Sequence, residues 1–224
     1  LEGYYSFAWG VDIFFVISGF IMYLVARNEE PLEFLKRRFI RVAPFYWCAT
    51  VAFLMINWRF DFLSIPLWEW ERVLKSLAFI PHYNSLSQGY ILPYLIPGWT
   101  LNYEMFFYFI FFVAIISGRI IQITSIAILG LFITGFLFDF NNPIMDTYTK
   151  PILLEFLVGV WIASIYIKGY LRQYTSLFLF LGFVGLFVLP AFDGQFPLIW
   201  GRILFSSFIL IGALSYGTKV PHSS

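Results

Sequence analysis

Long apolar stretches alternate along the chain with short polar clusters, and the length of that alternation is set by a membrane rather than by a sheet. Windows of roughly 17 to 20 residues recur with little or no charge, the length needed to cross a hydrocarbon core of about 30 Å. They predict seven spanning helices, over 9–27, 38–58, 99–117, 120–138, 151–167, 175–191 and 199–217. In a bilayer a helix satisfies its own backbone groups, so the fold class read from the pattern is all-α, a polytopic membrane helix bundle.

One stretch breaks the rhythm. Between the second and third spans, residues 59–98 carry prolines at 66, 81, 93 and 97 and are apolar only from Leu74 to Ile80, too short to cross. Trp68 and Trp70 suit the headgroup level. The segment is expected to be an outer interfacial or re-entrant element.

Composition sharpens the picture. The chain of 224 residues is 60% hydrophobic, 23% aromatic and 12% charged, against about 25% charged in a soluble domain. Such a chain has too few polar groups to cover a water-facing surface. The net charge of +1 offers no basis for a nucleic-acid partner. Cys48 is the single cysteine, so neither an intrachain disulfide nor a cysteine metal cluster is possible, and no metal is expected. The chain opens at Leu1 without a charged n-region, so no signal peptide is visible, and sequence upstream is expected.

The charges also orient the helices. Arg27, Lys36, Arg37, Arg38, Arg41, Arg119, Lys168, Arg172 and Lys219 fall on one set of helix ends, and Arg59, Arg72, Lys75, Lys150 and Arg202 on the other. The richer set is cytoplasmic by the positive-inside rule, which leaves Leu1 outside.

Four places stand out for chemistry. In FLKRRFIRVAPFYW, Arg38 and Arg41 are spaced i, i+3 on one helical face at the cytoplasmic mouth of the second span. They read either as topogenic charge or as a paired fork for a phosphate-bearing ligand. In GVDIFFVISGFIMY, Asp12 stands at the outer end of the first span, as an interface charge or a site residue. Ser18 and Gly19 in that stretch suit close helix packing. In PGWTLNYEMFFYFIF, Thr100 is a possible N-cap and Glu104 lies one turn in. The helix dipole accounts for a carboxylate there, and so does an internal cavity. Glu155 and Arg202 are isolated charges inside apolar runs, able to pair with each other. His82 falls in the outer element and His222 in the tail, so a catalytic histidine inside the bundle is not part of this sequence.

GVDIFFVISGFIM, FLKRRFIRVAPFYW and GWTLNYEMFFY follow in an order and spacing that resembles the acyltransferase 3 family of membrane O-acyltransferases, nearest its exopolysaccharide-production branch. LLEFLVG resembles a later segment, and the likeness covers most of residues 9–160. The resemblance implies about ten spanning helices, so the seven here are expected to be a fragment of a single acyltransferase domain, 1–224, truncated at both ends. It implies acyl-CoA, usually acetyl-CoA, as a cytoplasmic donor substrate with no bound cofactor, and a saccharide acceptor at the outer face. Glu104 is then the catalytic candidate. Arg37, Arg38, Arg41, Trp99, Tyr103 and Asp12 are the substrate-binding candidates. The family's first helix, bearing an arginine and the histidine base, would precede Leu1, so the fragment is expected to be inactive alone. Localisation is expected in a bacterial inner (plasma) membrane, multi-pass. Two other classes stand beside this one: a secondary transporter, whose paired broken helices and internal repeat are not seen, and a catalytically dead scaffold of polysaccharide export.

Overall fold

A computed structural model describes residues 9–58, 65–84, 89–171, 176–189 and 195–217. In chain order its helices are α1 (Trp9–Ala26), α2 (Pro31–Asn57), α3 (Leu67–Leu77), α4 (Trp99–Ile116), α5 (Ile120–Leu137), α6 (Pro143–Tyr148), α7 (Leu153–Ile167), α8 (Ser176–Val188) and α9 (Gln195–Gly217). No strand occurs among the described residues, where Tyr83 and Ile91 form an isolated bridge. The fold is an all-α membrane helix bundle. Four stretches are long and apolar enough to cross a membrane: Pro31–Asn57, Ile96–Ile116, Ile120–Leu137 and Pro143–Ile167. Shorter apolar runs fill Gly10–Ala26, Leu177–Val188 and Ile199–Leu214. Phe45 at 81% exposure and Phe136 at 78% show why the exterior needs lipid. Arg59, Arg172, Lys219 and His222 lie outside the described residues.

Each apolar window becomes a helix, and the departures are at the ends. α2 begins at Pro31 rather than at residue 38, so Lys36 and Arg37 lie inside it. Pro31 at the first turn and Glu33 near the positive end of the dipole start this helix, and a hydropathy window cannot see either. Thr100 is not the N-cap of α4: Gly98 holds that position, without a side-chain cap, at the end of a 3-10 turn from Ile96. α4 stops where Gly118 takes a left-handed φ of 67°, the usual role of a glycine just past a helix end. Within 59–98, a helix runs from Leu67, well before the apolar window at Leu74. The helix is amphipathic in an unusual sense, for its buried face carries Glu69, Arg72, Val73 and Ser76. α6 escaped notice because it is short. Pro143 opens it, and the Asn142 side chain accepts from the Ile144 N–H at 2.9 Å.

The chain divides into two compact units. The first comprises Leu1–Asn28, Arg119–Leu129 and Pro151–Ser224. In it α1 and α7 run side by side in the same direction and almost touch. A Cβ on Gly19 would meet the Phe156 carbonyl, and one on Gly159 would meet the Val16 carbonyl. The expected packing role of Gly19 is thus met. Phe15 and Val16 on α1 and Phe156, Leu157 and Val160 on α7 are all buried. α8 packs on α9 by the same device, with Gly182 against Ile209 and Gly185 against Phe205.

The second unit comprises Glu29–Gly118 and Gly130–Lys150. Here α2 and α4 are antiparallel. The Phe34 ring stacks on Phe111 at 6.0 Å and meets Tyr108 edge-on at 6.5 Å. Twelve residues on, the Tyr46 ring lies over Gly98, where any side chain would collide with it. α3 docks on the far half of α2 through Leu54, Val73, Ile65 and Tyr94. The Trp47 indole donates to the Leu77 carbonyl at 2.8 Å. α6 is held by Tyr148, whose ring stacks on Phe106 at 4.0 Å.

Candidate active site

The register of α2 against α4 decides what Glu104 faces. Phe34 lies opposite Tyr108 and Phe111, and Tyr46 lies opposite Gly98. Arg38 and Arg41 sit between Phe34 and Tyr46 on α2, as Glu104 sits between Gly98 and Tyr108 on α4. The two arginines and the carboxylate therefore share one level. The packing thus brings together the arginines at the mouth of α2 and the carboxylate one turn into α4. Charge counting treats each helix separately, whereas aromatic packing fixes how far one slides along the other.

Glu104 is buried, at 7% exposure. It lies within electrostatic reach of Arg41 first and Arg38 second, with Tyr108 one turn along α4 beside it. The Arg38 guanidinium lies 5.6 Å over the Phe34 ring, a cation–π placement that holds its side chain along the helix. Arg41 is exposed. Two guanidiniums against one carboxylate leave a local excess of positive charge, with N–H donors to spare for an anion.

Arg37 does not share this surroundings. Its guanidinium points to Glu29 at 3.0 Å and Glu33 at 3.5 Å on the exposed side of α2. Trp99 and Tyr103 are on the α4 side of the site, edge to face at 6.0 Å, and Tyr103 meets Tyr148 edge-on at 6.3 Å. Asn102 beside them is buried with its Oδ1 unpartnered.

Asp12 belongs to the other unit, and the expectation of a water-facing interface charge fails there: it is 2% exposed. Its neighbours are Glu155 on α7, within electrostatic reach, and Arg202 on α9, whose Nε is 3.8 Å from Asp12 Oδ2. Glu155 is 4% exposed. The suggested Glu155–Arg202 pair is thus a triad, with Asp12 as the salt-bridge partner. Two neighbouring buried carboxyl groups favour one proton between them, because two buried like charges repel strongly. The one guanidinium then neutralises the remaining charge. Asp12 and Glu155 lie in the first turn of their helices and Arg202 about two turns into α9, each a lone charge in an apolar run. Among the described residues no group of three His, Cys, Asp or Glu side chains could hold a metal ion.

Residues 1–219 match the family described as "Acyltransferase domain", the acyltransferase 3 family. The chain belongs to it. It is also 41% identical over 166 residues to the "Exopolysaccharide production protein ExoZ" of Rhizobium meliloti (strain 1021), covering 71% of this chain and 51% of that protein. The chain therefore spans about half the length of the curated relative it matches. No solved structure matches it. Family membership and apolar helices together make this a membrane acyltransferase-family protein, and Arg38, Arg41 and Glu104 acquire a chemical context.

Proposed function

We propose that the whole protein is an integral membrane O-acyltransferase that moves an acyl group, acetyl in the simplest case, from acyl-CoA to a saccharide hydroxyl of an exopolysaccharide or another surface glycan. Membership of the acyltransferase family supports the reaction, and the exopolysaccharide role named for the relative supports the acceptor. The observation that carries it in this chain is the Arg38–Arg41 pair level with buried Glu104.

In this reading the two guanidiniums hold phosphates of coenzyme A, where paired, preorganised forks suit the ligand. The thioester then lies at the level of Glu104. A sugar hydroxyl attacks the thioester carbonyl, the new C–O bond forms and the C–S bond breaks. The proton removed from the hydroxyl by a base ends on the departing CoA sulfur. Glu104 orients that base, which the family resemblance identifies as a histidine, and steadies its charged form as the carboxylate of a hydrolase triad does. The protein is multi-pass in a bacterial inner membrane, with the arginine-rich end of α2 cytoplasmic.

The test is transfer of labelled acetyl from acetyl-CoA to glycan in membranes holding the whole protein. Arg41→Ala raises KM for acetyl-CoA about ten- to a hundredfold, the size of a lost charge-assisted hydrogen bond, and leaves acceptor KM alone. Glu104→Gln lowers kcat by about 10²–10⁴-fold with protein level and insertion unchanged. Unchanged donor KM in the first variant, or wild-type turnover in the second, would refute the assignment.

A further inference from the structure

A second concave site lies in the same unit as Glu104, on α3, the loop after it and the start of α6. It is a cleft of about 390 Å³ whose walls include Trp68, Arg72, Lys75, His82, Tyr83 and Asn142. That volume is within the range of small-ligand sites, and the mixture of aromatic faces with convergent polar groups is their usual lining.

Its charges are already spoken for. Lys75 Nζ is 2.6 Å from Glu71 Oε1, and Arg72 Nη1 is 2.7 Å from Glu69 Oε2. Arg72 Nη2 also donates to Asn84 Oδ1 at 3.0 Å. Each cation has its own carboxylate, so the cleft has no surplus charge with which to select a phosphate or a carboxylate. What it offers instead is surface and hydrogen bonds. Trp68 and Tyr83 are half-exposed, at 49% and 44%.

His82 is 5% exposed, and its Nδ1 is 2.9 Å from the Ile80 carbonyl. A carbonyl can only accept, so Nδ1 bears the proton and Nε2 is the acceptor. That Nε2 is buried without a partner. Burial lowers the His82 pKa, so the ring is neutral near pH 7 and the buried Nε2 remains an acceptor in want of a donor. Asn142 spends its Oδ1 on the Ile144 N–H, which leaves its NH₂ to donate.

A flat apolar ring face with donors and acceptors around its rim is the chemistry of a sugar. We propose that this cleft binds an uncharged pyranose ring of the acceptor glycan, stacked on Trp68 with its hydroxyls directed to His82 and Asn142. The inference rests on the acyltransferase reading for its biological sense. α6 links the two places: Asn142 and Pro143 line the cleft at its start, and Tyr148 at its end stacks on Phe106 and meets Tyr103, the neighbour of Glu104.

Saturation-transfer NMR on the detergent-solubilised whole protein, with methyl β-D-glucopyranoside as probe, tests it. Saturation reaches the ring protons of the glycoside in the wild type. Trp68→Ala weakens binding about two- to tenfold, the worth of one aromatic face, and Trp68→Phe restores it. Absence of transfer, equal affinity in Trp68→Ala, or tighter binding of methyl β-D-glucuronide would overturn the proposal. A parallel assay of CoA release from acetyl-CoA separates it from the reaction. Trp68-dependent glycoside binding without CoA release leaves the cleft standing and removes the acyltransferase reading. CoA release with binding indifferent to Trp68 removes the cleft alone.

Discussion

Removing the guanidinium of Arg202 exposes how the Asp12–Glu155 pair is held. In the intact triad one proton between two carboxyl groups and one positive charge give a neutral cluster. Arg202→Met keeps the bulk of the side chain and takes away the charge, leaving a net negative carboxyl pair where Asp12 is 2% and Glu155 4% exposed. Breaking a buried ion pair from one side costs about 3–5 kcal/mol. The lower end applies here, because the closest approach is 3.8 Å and the Arg202 side chain retains 22% exposure. About 3 kcal/mol corresponds to a fall of about 6–12 °C in Tm for a chain of this size. Thermal melting of the detergent-solubilised protein reads it directly. The decisive variant is the double one: adding Asp12→Asn removes the stranded charge and leaves a neutral amide–carboxyl pair, so it recovers at least half of the loss. If Arg202→Met melted as the wild type does, or if Asp12→Asn made matters worse additively, the triad would not be an energetic unit and the argument from shared charge would fail.

Gly159→Val forces a side chain into the Val16 carbonyl across the α1–α7 seam, costing about 3 kcal/mol, the upper end of the overpacking range. Gly10→Ala, on the same α1 with open space around it, leaves the melting temperature equal or slightly raised in the same assay. His82 predicts a pH effect of definite sign. Burial lowers its pKa below the ordinary 6.5, so the unfolded chain binds the proton more readily than the folded one. Its stabilisation is present above about pH 6.5 and is lost as pH falls through that value toward the folded pKa. Melting curves between pH 8 and pH 5 should therefore decline less in His82→Gln than in the wild type, and identical slopes would exclude His82 as the cause.

What the chain disclosed before its structure follows from the range of the forces involved. Apolar length is local, so α1, α2, α4, α5, α7, α8 and α9 were all legible as windows, and only their ends moved. α3 and α6 were not, since eleven and six residues respectively carry too little apolar length, and α3 buries a charged pair where a window expects leucines. The site divides along the same line. Arg38, Arg41 and Glu104 could be picked out individually because each is a charge in an apolar setting, which is a local oddity. Their shared level could not, because it depends on Phe34 finding Phe111 and on Tyr46 finding the bare backbone of Gly98. Asp12 shows the converse error. Judged from its own helix it stood at an end, where water was the natural partner. Only the neighbouring α7 and α9 reveal that its partners are Glu155 and Arg202. A charge at a membrane-helix end is thus ambiguous until the adjoining helices are known. The economical sequence signal is the coincidence of several lone charges near the starts of apolar helices, which in this chain unites Asp12, Glu155 and Arg202.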